Sequence, residues 1–314
     1  MKRRKRPFQK GILQHCYQPS ADGGLLFYSY SDYLVWFTIV CMAARRHGIT
    51  ILALCPMPDH IHLSLIAPSA RAMAAFMRDI NSEYARHFHT VSRSEGPVFR
   101  SPFGSAPKYG AKKGRSNILY VLNNPVERQL SEKAVDYRWS FLAYAVSVHP
   151  FSQELIVRRA RKALQMAIKE VKQQFQKGQS MNYAQLKRLF APLTPEESQQ
   201  LTDYIIVTYN VIDYAAASRF FDNYEDLLKS LESNTGSEHD LNEVFIGKSD
   251  AHYKTMAATV MREIHPEDIH DILSLDLSHK FELFQLLRQR GDALSDQIAK
   301  FLHMPLKKGP IEEF

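Results

Sequence analysis

Cysteine is scarce in this chain, and long runs of apolar residues are absent. The three cysteines form no CxxC pair and lie in apolar contexts, so we expect them to pack as small hydrophobic side chains in a reducing cytosol. No apolar signal-peptide core follows the basic N-terminus, and no segment is long enough to span a membrane. We therefore predict a cytoplasmic protein with no membrane partner, whose cysteines are Cys16, Cys41 and Cys55.

Acidic residues are scarce in the first half of the chain only. Residues 1–150 contain 20 lysines and arginines but 9 aspartates and glutamates, whereas the remainder contains 20 and 24. This asymmetry predicts a polyanion partner for the first half alone, although charge runs often form ordinary solvated surface. A chain of 314 residues is long enough for two domains, which we predict at 1–149 and 150–314.

The most informative stretch contains His60 and His62, which flank one apolar residue inside a run that predicts a buried strand. Side chains two apart in a strand share a face, so both imidazoles point to one side while Ile61 packs on the other. Two adjacent imidazoles on one rigid face form half of a site for a divalent metal. The alternative for an isolated His-x-His is an ordinary strand with two half-buried rings.

A second candidate group lies at 116–126, where the apolar residues predict a short helix stopped by Pro125. Tyr120 and Asn124 are four residues apart and therefore share one face of that helix. A tyrosine nucleophile and an amide oxygen could meet the two histidines there. The alternative is a packed aromatic ring beside a helix C-cap.

Taken in order, these motifs resemble the single-tyrosine HUH transposases, and most of all the branch of REP-associated tyrosine transposases. The resemblance covers roughly residues 1–145. It departs from the family at Asp59, where Asn is frequent, and at 127–129, where small residues are more usual. The stretches that carry it are 57–63, 120–126 and 136–140, with 96–100 between the first two, and 15–18 with Phe27 near the start.

The resemblance implies the ferredoxin-like HUH fold and an enzyme that acts on single-stranded hairpin DNA. It implies that Tyr120 attacks the DNA to give a 5′-phosphotyrosine and a free 3′-OH, so that strands can be rejoined without ATP. A divalent ion, Mg²⁺ or Mn²⁺, would be held by His60, His62 and Asn124 and would polarise the scissile phosphate. A homodimer and a nucleoid-associated location are also expected.

Basic residues near the tyrosine predict contacts to DNA phosphates. The segment 110–115, rich in small and basic residues, is predicted to be a loop leading into the tyrosine helix. Contacts to phosphates set position and carry no sequence information. The N-terminal tail is expected to add flexible contacts, with solvated disorder as the alternative. The predicted DNA-binding residues are Arg3, Arg4, Lys5, Arg6, Arg100, Lys108, Lys112, Lys113 and Arg115.

The hydrophobic periodicity of the first half predicts an antiparallel sheet with helices packed mainly on one face, an α+β arrangement. The turn and strand signals between the periodic segments set the boundaries. The expected elements are strands at 11–18, 50–56 and 60–67, helices at 31–47 and 70–89, and an extended segment at 98–109.

The second half is predicted to be all-α and shows no catalytic constellation. The stretch 281–304 resembles the first two helices of a helix-turn-helix, although the recognition helix would fall in 304–314, which contains two prolines and a glycine. The alternative is a helical hairpin used for packing or oligomerisation. Helices are expected at 153–179, 182–189, 194–209 and 212–223, followed by a polar loop at 230–240.

Two other functions fit the same motifs. A catalytically silent DNA-binding regulator of repeat elements would need the fold but not two histidines, a tyrosine and an asparagine together, so their joint presence argues against it. A replication-initiator or relaxase-type nickase would use the same chemistry. The motifs follow one another in order over a short part of the chain. This order and the Asn-Pro-Val element at 124–126 favour the transposase.

Overall fold

A four-stranded antiparallel sheet forms the centre of the first half of the computed structural model, which describes residues 7–21, 23–233, 249–291 and 293–304. The strand order is β2-β3-β1-β4, and every neighbouring pair is antiparallel. Strands β1 and β2 therefore run parallel on either side of β3, which is the split βαβ arrangement of ferredoxin-like folds. The elements are β1 (Gln14–Pro19), α1 (Tyr30–His47), β2 (Thr50–Met57), β3 (His60–Ile66), α2 (Ala70–Ser92) and β4 (Gly104–Pro107).

One face of this sheet is covered by α2. Cys16 lies opposite Leu63 in the pairing of β1 with β3, and its Sγ atom is 3.8 Å from Sδ of Met73 on α2. On the same face, Nδ2 of Asn81 donates a hydrogen bond of 2.8 Å to Oε1 of Gln18. The apolar side of β3 thus packs inward against α2, as the alternation in the sequence predicted.

The other face is covered by α3 (Gly110–Glu127). Tyr17 lies opposite His62 in the pairing of β1 with β3, so both side chains belong to this face. Ser64, two residues further along β3, donates a hydrogen bond of 2.7 Å to Oδ1 of Asn117 on α3. The predicted α+β class and ferredoxin-like arrangement are confirmed, and a helix covers each face.

The bounds of α3 correct two predictions. Residues 110–115 are helical rather than a loop, and Gly114 lies where a Cβ atom would come within 2.2 Å of the Phe220 ring, so close helix packing explains this glycine. Pro125 lies inside the helix rather than stopping it. A proline removes one hydrogen bond, here to the carbonyl of Val121, and the loss is confined to the last turn.

The second half is helical, as predicted, and packs against the first. Within the described residues, no helix is both long and apolar enough to cross a membrane. Short 3₁₀ helices, among them Ile269–Ser274, connect the longer elements. The helices are α4 (Lys162–Gln176), α5 (Tyr183–Phe190), α6 (Pro195–Tyr209), α7 (Tyr214–Ser218), α8 (Tyr224–Ser233), α9 (Ala251–Glu263), α10 (Leu277–Arg290) and α11 (Ser295–Phe301).

The helix predicted at 153–179 starts only at α4, because tertiary hydrogen bonds hold the preceding chain in other conformations. The Ser152 hydroxyl donates to Oδ2 of Asp203 at 2.9 Å, and the backbone N–H of Gln153 donates to Oε1 of Glu196 at 2.8 Å. Both acceptors lie on α6. Hydrogen bonds to a neighbouring helix thus replace those that a longer α4 would have made.

The helix predicted at 212–223 is reduced to α7 for a similar reason. The backbone N–H of Asp213 donates to the carbonyl of Ile51 on β2 at 2.8 Å, and helix begins only after this contact. The loop predicted at 230–240 is wrong at its start, since α8 continues to Ser233. The remainder of that loop lies outside the described residues.

The predicted helix pair at 281–304 is present as α10 and α11. Apart from Met304, the proposed recognition segment 304–314 lies outside the described residues, as do Arg3, Arg4, Lys5 and Arg6 of the basic tail. The helix-turn-helix and the domain boundary at 149/150 stay predictions.

A buried network of polar groups joins the two halves around Asp32 on α1, which is fully buried. Its carboxylate accepts hydrogen bonds from the Tyr28 backbone N–H at 2.7 Å and the Tyr183 hydroxyl at 2.5 Å. His270 binds Asp32 through Nε2 at 2.9 Å and Asp268 through Nδ1 at 2.5 Å. Both ring nitrogens of His270 face carboxylates, which is the arrangement of a charged imidazolium.

We predict that protonation of His270 stabilises the fold. Burial alone would lower the pKa of His270, but the carboxylates of Asp32 and Asp268 raise it to about 10. Because the native pKa exceeds the unfolded value near 6.5, this stabilisation is complete below pH 6.5 and is lost as the pH rises towards 10. The free energy of unfolding should fall by roughly 1 kcal/mol per pH unit in that window. Urea titrations of wild type and His270→Gln measure this, and an equal slope in both would contradict it.

Candidate active site

The two histidines of β3 form the centre of the site. His60 and His62 point to the same face of the sheet, their ring centroids are 4.8 Å apart, and they are 2 % and 0 % exposed. Their planes are nearly perpendicular, at 89°. The alternation of the strand produces this pairing, as predicted from the sequence.

Helix α3 brings Tyr120 to these histidines. The bond from Ser64 to Asn117 fixes the helix across the face, and Tyr120 follows three residues later, on the same side of the helix. The Tyr120 and His62 rings pack in a T-shaped arrangement, with centroids 5.4 Å apart and planes at 86°. Tyr120 is 6 % exposed. Two motifs 58 positions apart in sequence, at 62 and 120, thus meet in space.

Asn124 lies one turn beyond Tyr120 and is almost completely buried. Its Nδ2 donates a hydrogen bond of 3.0 Å to the backbone carbonyl of Tyr120. This bond fixes the orientation of the amide, so that Nδ2 faces the backbone and Oδ1 is the atom that could serve as a ligand. Asn124 is not a C-cap, because α3 continues to Glu127.

His15 on β1 also belongs to this cluster, although no role was assigned to it from the sequence. Its Nε2 lies 3.0 Å from Nδ1 of His62, and the two rings stack with centroids 5.2 Å apart. The Tyr120 ring also meets His15, at 5.7 Å. Tyr17, on the same strand, contacts both His60 at 5.6 Å and His62 at 5.2 Å. The register of β1 against β3 determines these contacts, and the sequence alone does not reveal it.

The environment keeps His62 neutral. Burial lowers the pKa of its imidazole well below the usual value, and the nearby His60 and His15 lower it further. A neutral imidazole has a lone pair on one ring nitrogen, which is the form that binds a metal.

Asp59 immediately precedes β3 and binds the other histidine. Nδ1 of His60 lies 2.5 Å from Oδ1 of Asp59, and the ammonium of Lys300 on α11 contacts Oδ2. Burial raises the pKa of Asp59, but His60 and Lys300 lower it well below its usual range. An ionised carboxylate only accepts hydrogen bonds, so Nδ1 of His60 carries the proton. No feature of the sequence near Lys300 indicated this contact.

The end of α3 is held by a second buried ion pair. Arg128 binds Asp250 through two hydrogen bonds, Nη2 to Oδ1 at 2.7 Å and Nε to Oδ2 at 3.1 Å. The side chains are 9 % and 4 % exposed. The backbone N–H of Asp250 also donates to the carbonyl of Arg128 at 2.9 Å. Arg128, in the stretch 127–129 where the sequence departs from the family that it resembles, therefore anchors the end of α3 to the start of α9.

The predicted DNA-binding residues lie in different environments. Arg100, Lys112 and Lys113 are exposed, whereas Lys108 is 3 % exposed. Arg115 is bound to α8, where its guanidinium meets Oδ2 of Asp226 at 3.1 Å and the Ser230 hydroxyl at 2.7 Å. Contacts to DNA stay predictions for all five, and the exposed three are the best placed.

The donors of the candidate site fit a divalent ion. Among the residues that the structure describes, no group of three or more His, Cys, Asp or Glu side chains could hold a metal ion. The predicted set differs in its third donor, because Asn124 would supply an amide oxygen. Two imidazoles and an amide oxygen are chemically suited to divalent metals.

Comparison with known proteins supports the resemblance stated above. Residues 31–106, from α1 to β4, match the family model described as "Transposase IS200 like". This segment includes both histidines and ends before Tyr120. The match confirms the predicted resemblance for this part of the chain.

A solved structure of a REP-associated tyrosine transposase bound to a REP hairpin is also similar. The TM-score is 0.40 and the sequence identity 16 %, over 46 % of this chain and 84 % of that chain. A comparison with curated proteins gives no match.

We predict that Arg128 and Asp250 stabilise the fold only as a pair. Asp250→Asn leaves the Arg128 charge buried, and removing one partner of such a pair costs about 3–5 kcal/mol. Adding Arg128→Met removes the unpaired charge and should recover most of this loss. Urea unfolding of the two single variants and the double variant gives the coupling energy. Additive single effects would show that the pair makes no specific contribution.

Proposed function

We propose that this protein is a transposase that cleaves and rejoins single-stranded hairpin DNA, with Tyr120 as the nucleophile. The observation that supports this most is the contact of the Tyr120 ring with His62, 5.4 Å between centroids, beside a second histidine on the same face. A hydroxyl nucleophile next to two imidazoles is the arrangement expected for metal-assisted phosphoryl transfer.

His60, His62 and Asn124 would hold the divalent ion, Mg²⁺ or Mn²⁺, which when bound supplies charge stabilisation to the scissile phosphate. Asp59 fixes His60 with the proton on Nδ1, so that Nε2 carries the lone pair. For His62 to present Nε2 as well, its Nδ1–H must donate to Nε2 of His15, which lies at 3.0 Å. Asp59 thus selects the ligand tautomer of His60, and His62 takes the same tautomer when His15 is the acceptor.

Tyr120 forms the new covalent bond. Its Oη atom attacks the phosphorus in line and gives up its proton, and the P–O3′ bond breaks. The 5′-phosphate of the downstream strand stays on the tyrosine, while the upstream strand takes up a proton and leaves with a 3′-OH. Attack by a different 3′-OH reverses the step and joins new strands, and the phosphodiester energy is conserved throughout. A phenol with a pKa near 10 is a weak nucleophile at neutral pH, so the reaction depends on the charge stabilisation beside it.

The exposed basic residues give the DNA a path to the site. Lys112 and Lys113 lie in the first turns of α3, the helix that carries Tyr120, and Arg100 lies shortly before β4. These side chains would bind phosphates on either side of the cleavage point. A homodimer and a nucleoid-associated location accompany this proposal.

We predict that Tyr120→Phe abolishes covalent attachment to DNA and leaves the fold intact, because the ring is retained and one hydroxyl is removed. The measurement is incubation of the protein with labelled hairpin DNA and Mn²⁺ or Mg²⁺, followed by denaturing electrophoresis. Wild type should give an adduct that withstands SDS and disappears with EDTA. Tyr109→Phe, at an exposed tyrosine next to α3, serves as the matched control and should behave as wild type.

An adduct that survives in Tyr120→Phe would contradict the assignment of the nucleophile. DNA binding without any adduct, with either metal and several hairpins, would instead favour a catalytically silent regulator. Nicking of duplex origin-like DNA in preference to hairpins would favour the replication-type nickase.

A further inference from the structure

The last described helix reaches the candidate active site from the far end of the chain. The ammonium of Lys300 on α11 contacts Oδ2 of Asp59, 241 positions away, and the two side chains are 5 % and 12 % exposed. A lysine is almost never buried to this degree without a partner that offsets its charge. The contact therefore belongs to the interior of the protein and differs from a solvent-screened surface pair.

We propose that Lys300 and Asp59 are positioning residues for His60, so that the C-terminal helix completes the metal site of the first half. This inference rests on the proposed function. Asp59 uses one oxygen for each partner, Oδ1 for Nδ1 of His60 at 2.5 Å and Oδ2 for Lys300. With both oxygens occupied, the carboxylate cannot rotate, and the imidazole that it holds is fixed in ring orientation and tautomer.

The position of α11 is set by contacts other than the ion pair. The Tyr28 hydroxyl donates to the carbonyl of Phe301 at 2.8 Å, and Nε2 of His303 lies 3.3 Å from the carbonyl of Leu25. Gly24 permits this approach, since a Cβ there would fall 2.1 Å from the His303 ring. The backbone contacts of α11 thus place Lys300 beside Asp59, so its position does not depend on the carboxylate alone.

The loop 24–28, which contacts the end of α11, also holds the turn that contains Asp59. The carbonyl of Pro58 accepts hydrogen bonds from the backbone N–H groups of Leu26 at 2.7 Å and Phe27 at 3.1 Å. The backbone carbonyl of Asp59 accepts from Ser20 at 2.8 Å. One loop, 24–28, therefore fixes both partners of the ion pair, which gives the carboxylate a defined place beside His60.

If the ion pair of Lys300 and Asp59 only stabilised the fold, Asp59 would not need to bind His60, a proposed metal ligand. The network around Asp32 joins the same two halves of the chain without touching His60 or His62. The two roles make different predictions, because loss of a positioning residue weakens metal binding in a protein that is still folded.

The experiment measures Mn²⁺ binding to the full-length protein without DNA, by calorimetry and by the electron paramagnetic resonance signal of free Mn²⁺. Lys300→Met should raise the Kd for Mn²⁺ roughly 10–100-fold, the usual effect of losing an outer partner of a metal ligand. Lys280→Met is the matched control, because Lys280 is another buried lysine of the C-terminal helices, on α10, and should leave the Kd unchanged. Thermal melting checks that each variant is folded.

A second substitution that removes the unpaired charge should rescue the Lys300→Met variant. Lys300→Met leaves the Asp59 carboxylate without its cation, and adding Asp59→Asn removes that charge while an amide oxygen can still accept the proton of His60 Nδ1. The double variant should recover most of the Mn²⁺ affinity, and it also tests the proposal if Lys300→Met alone does not fold.

Wild-type affinity for Mn²⁺ in folded Lys300→Met would overturn the positioning role and leave the proposed function intact. A double variant that folds but binds no better than Lys300→Met would also count against it. His62→Ala separates the two failures: if wild type shows no Mn²⁺ binding that this change removes, the metal site itself is wrong, and the role of Lys300 is wrong with it.

Discussion

Burial of two imidazoles on one face of β3 is the constraint on which the rest of the site depends. A buried ring nitrogen must find a hydrogen-bond partner or a metal, since leaving it unsatisfied costs about 1–3 kcal/mol. The fold supplies partners from separate places in the chain, with His15 from β1 for His62 and Asp59 from the preceding turn for His60. Each partner lies at an Nδ1 atom, so the proposed metal contacts would be made through Nε2 of each ring.

Helix α3 meets this face of the sheet with a stripe of polar side chains. Asn117, Tyr120 and Asn124 are spaced by three and four residues and lie along one side, and Arg128 follows four residues later, just past the end of the helix. The first binds Ser64 on the sheet and the last binds Asp250 on the C-terminal side. Tyr120 and Asn124, the proposed nucleophile and the proposed third donor, thus lie between two anchors. A helix fixed at both ends can hold a reactive hydroxyl to the sub-ångström tolerance that in-line attack requires.

Local periodicity explains what the sequence could predict. Alternation in β3 places both histidines on one face, and helical spacing places Tyr120 with Asn124, so these pairs follow from geometry within one element. Contacts between elements distant in sequence carry no such signal. Lys300 meets Asp59 only because a loop fixes α11, and His15 meets His62 only through strand register. The helix predicted at 153–161 is absent because hydrogen bonds to α6 outweigh the helix propensity of that segment. The loop predicted at 110–115 is wrong because Gly114 serves close helix packing.

Ion pairs between the two halves of the chain offset part of the charge asymmetry that the sequence shows. Acidic residues of the second half pair with cations of the first, as Asp226 does with Arg115 at 3.1 Å and Asp250 with Arg128 at 2.7 Å. Such pairs remove cations from the surface that could bind a polyanion, so the net charge of residues 1–150 overstates its attraction for DNA. Lys112 and Lys113 stay exposed in the first turns of α3, the helix that also carries Tyr120. The helical half therefore lowers the positive charge that the first half exposes, and the proposed phosphate contacts would depend on the cations that stay exposed.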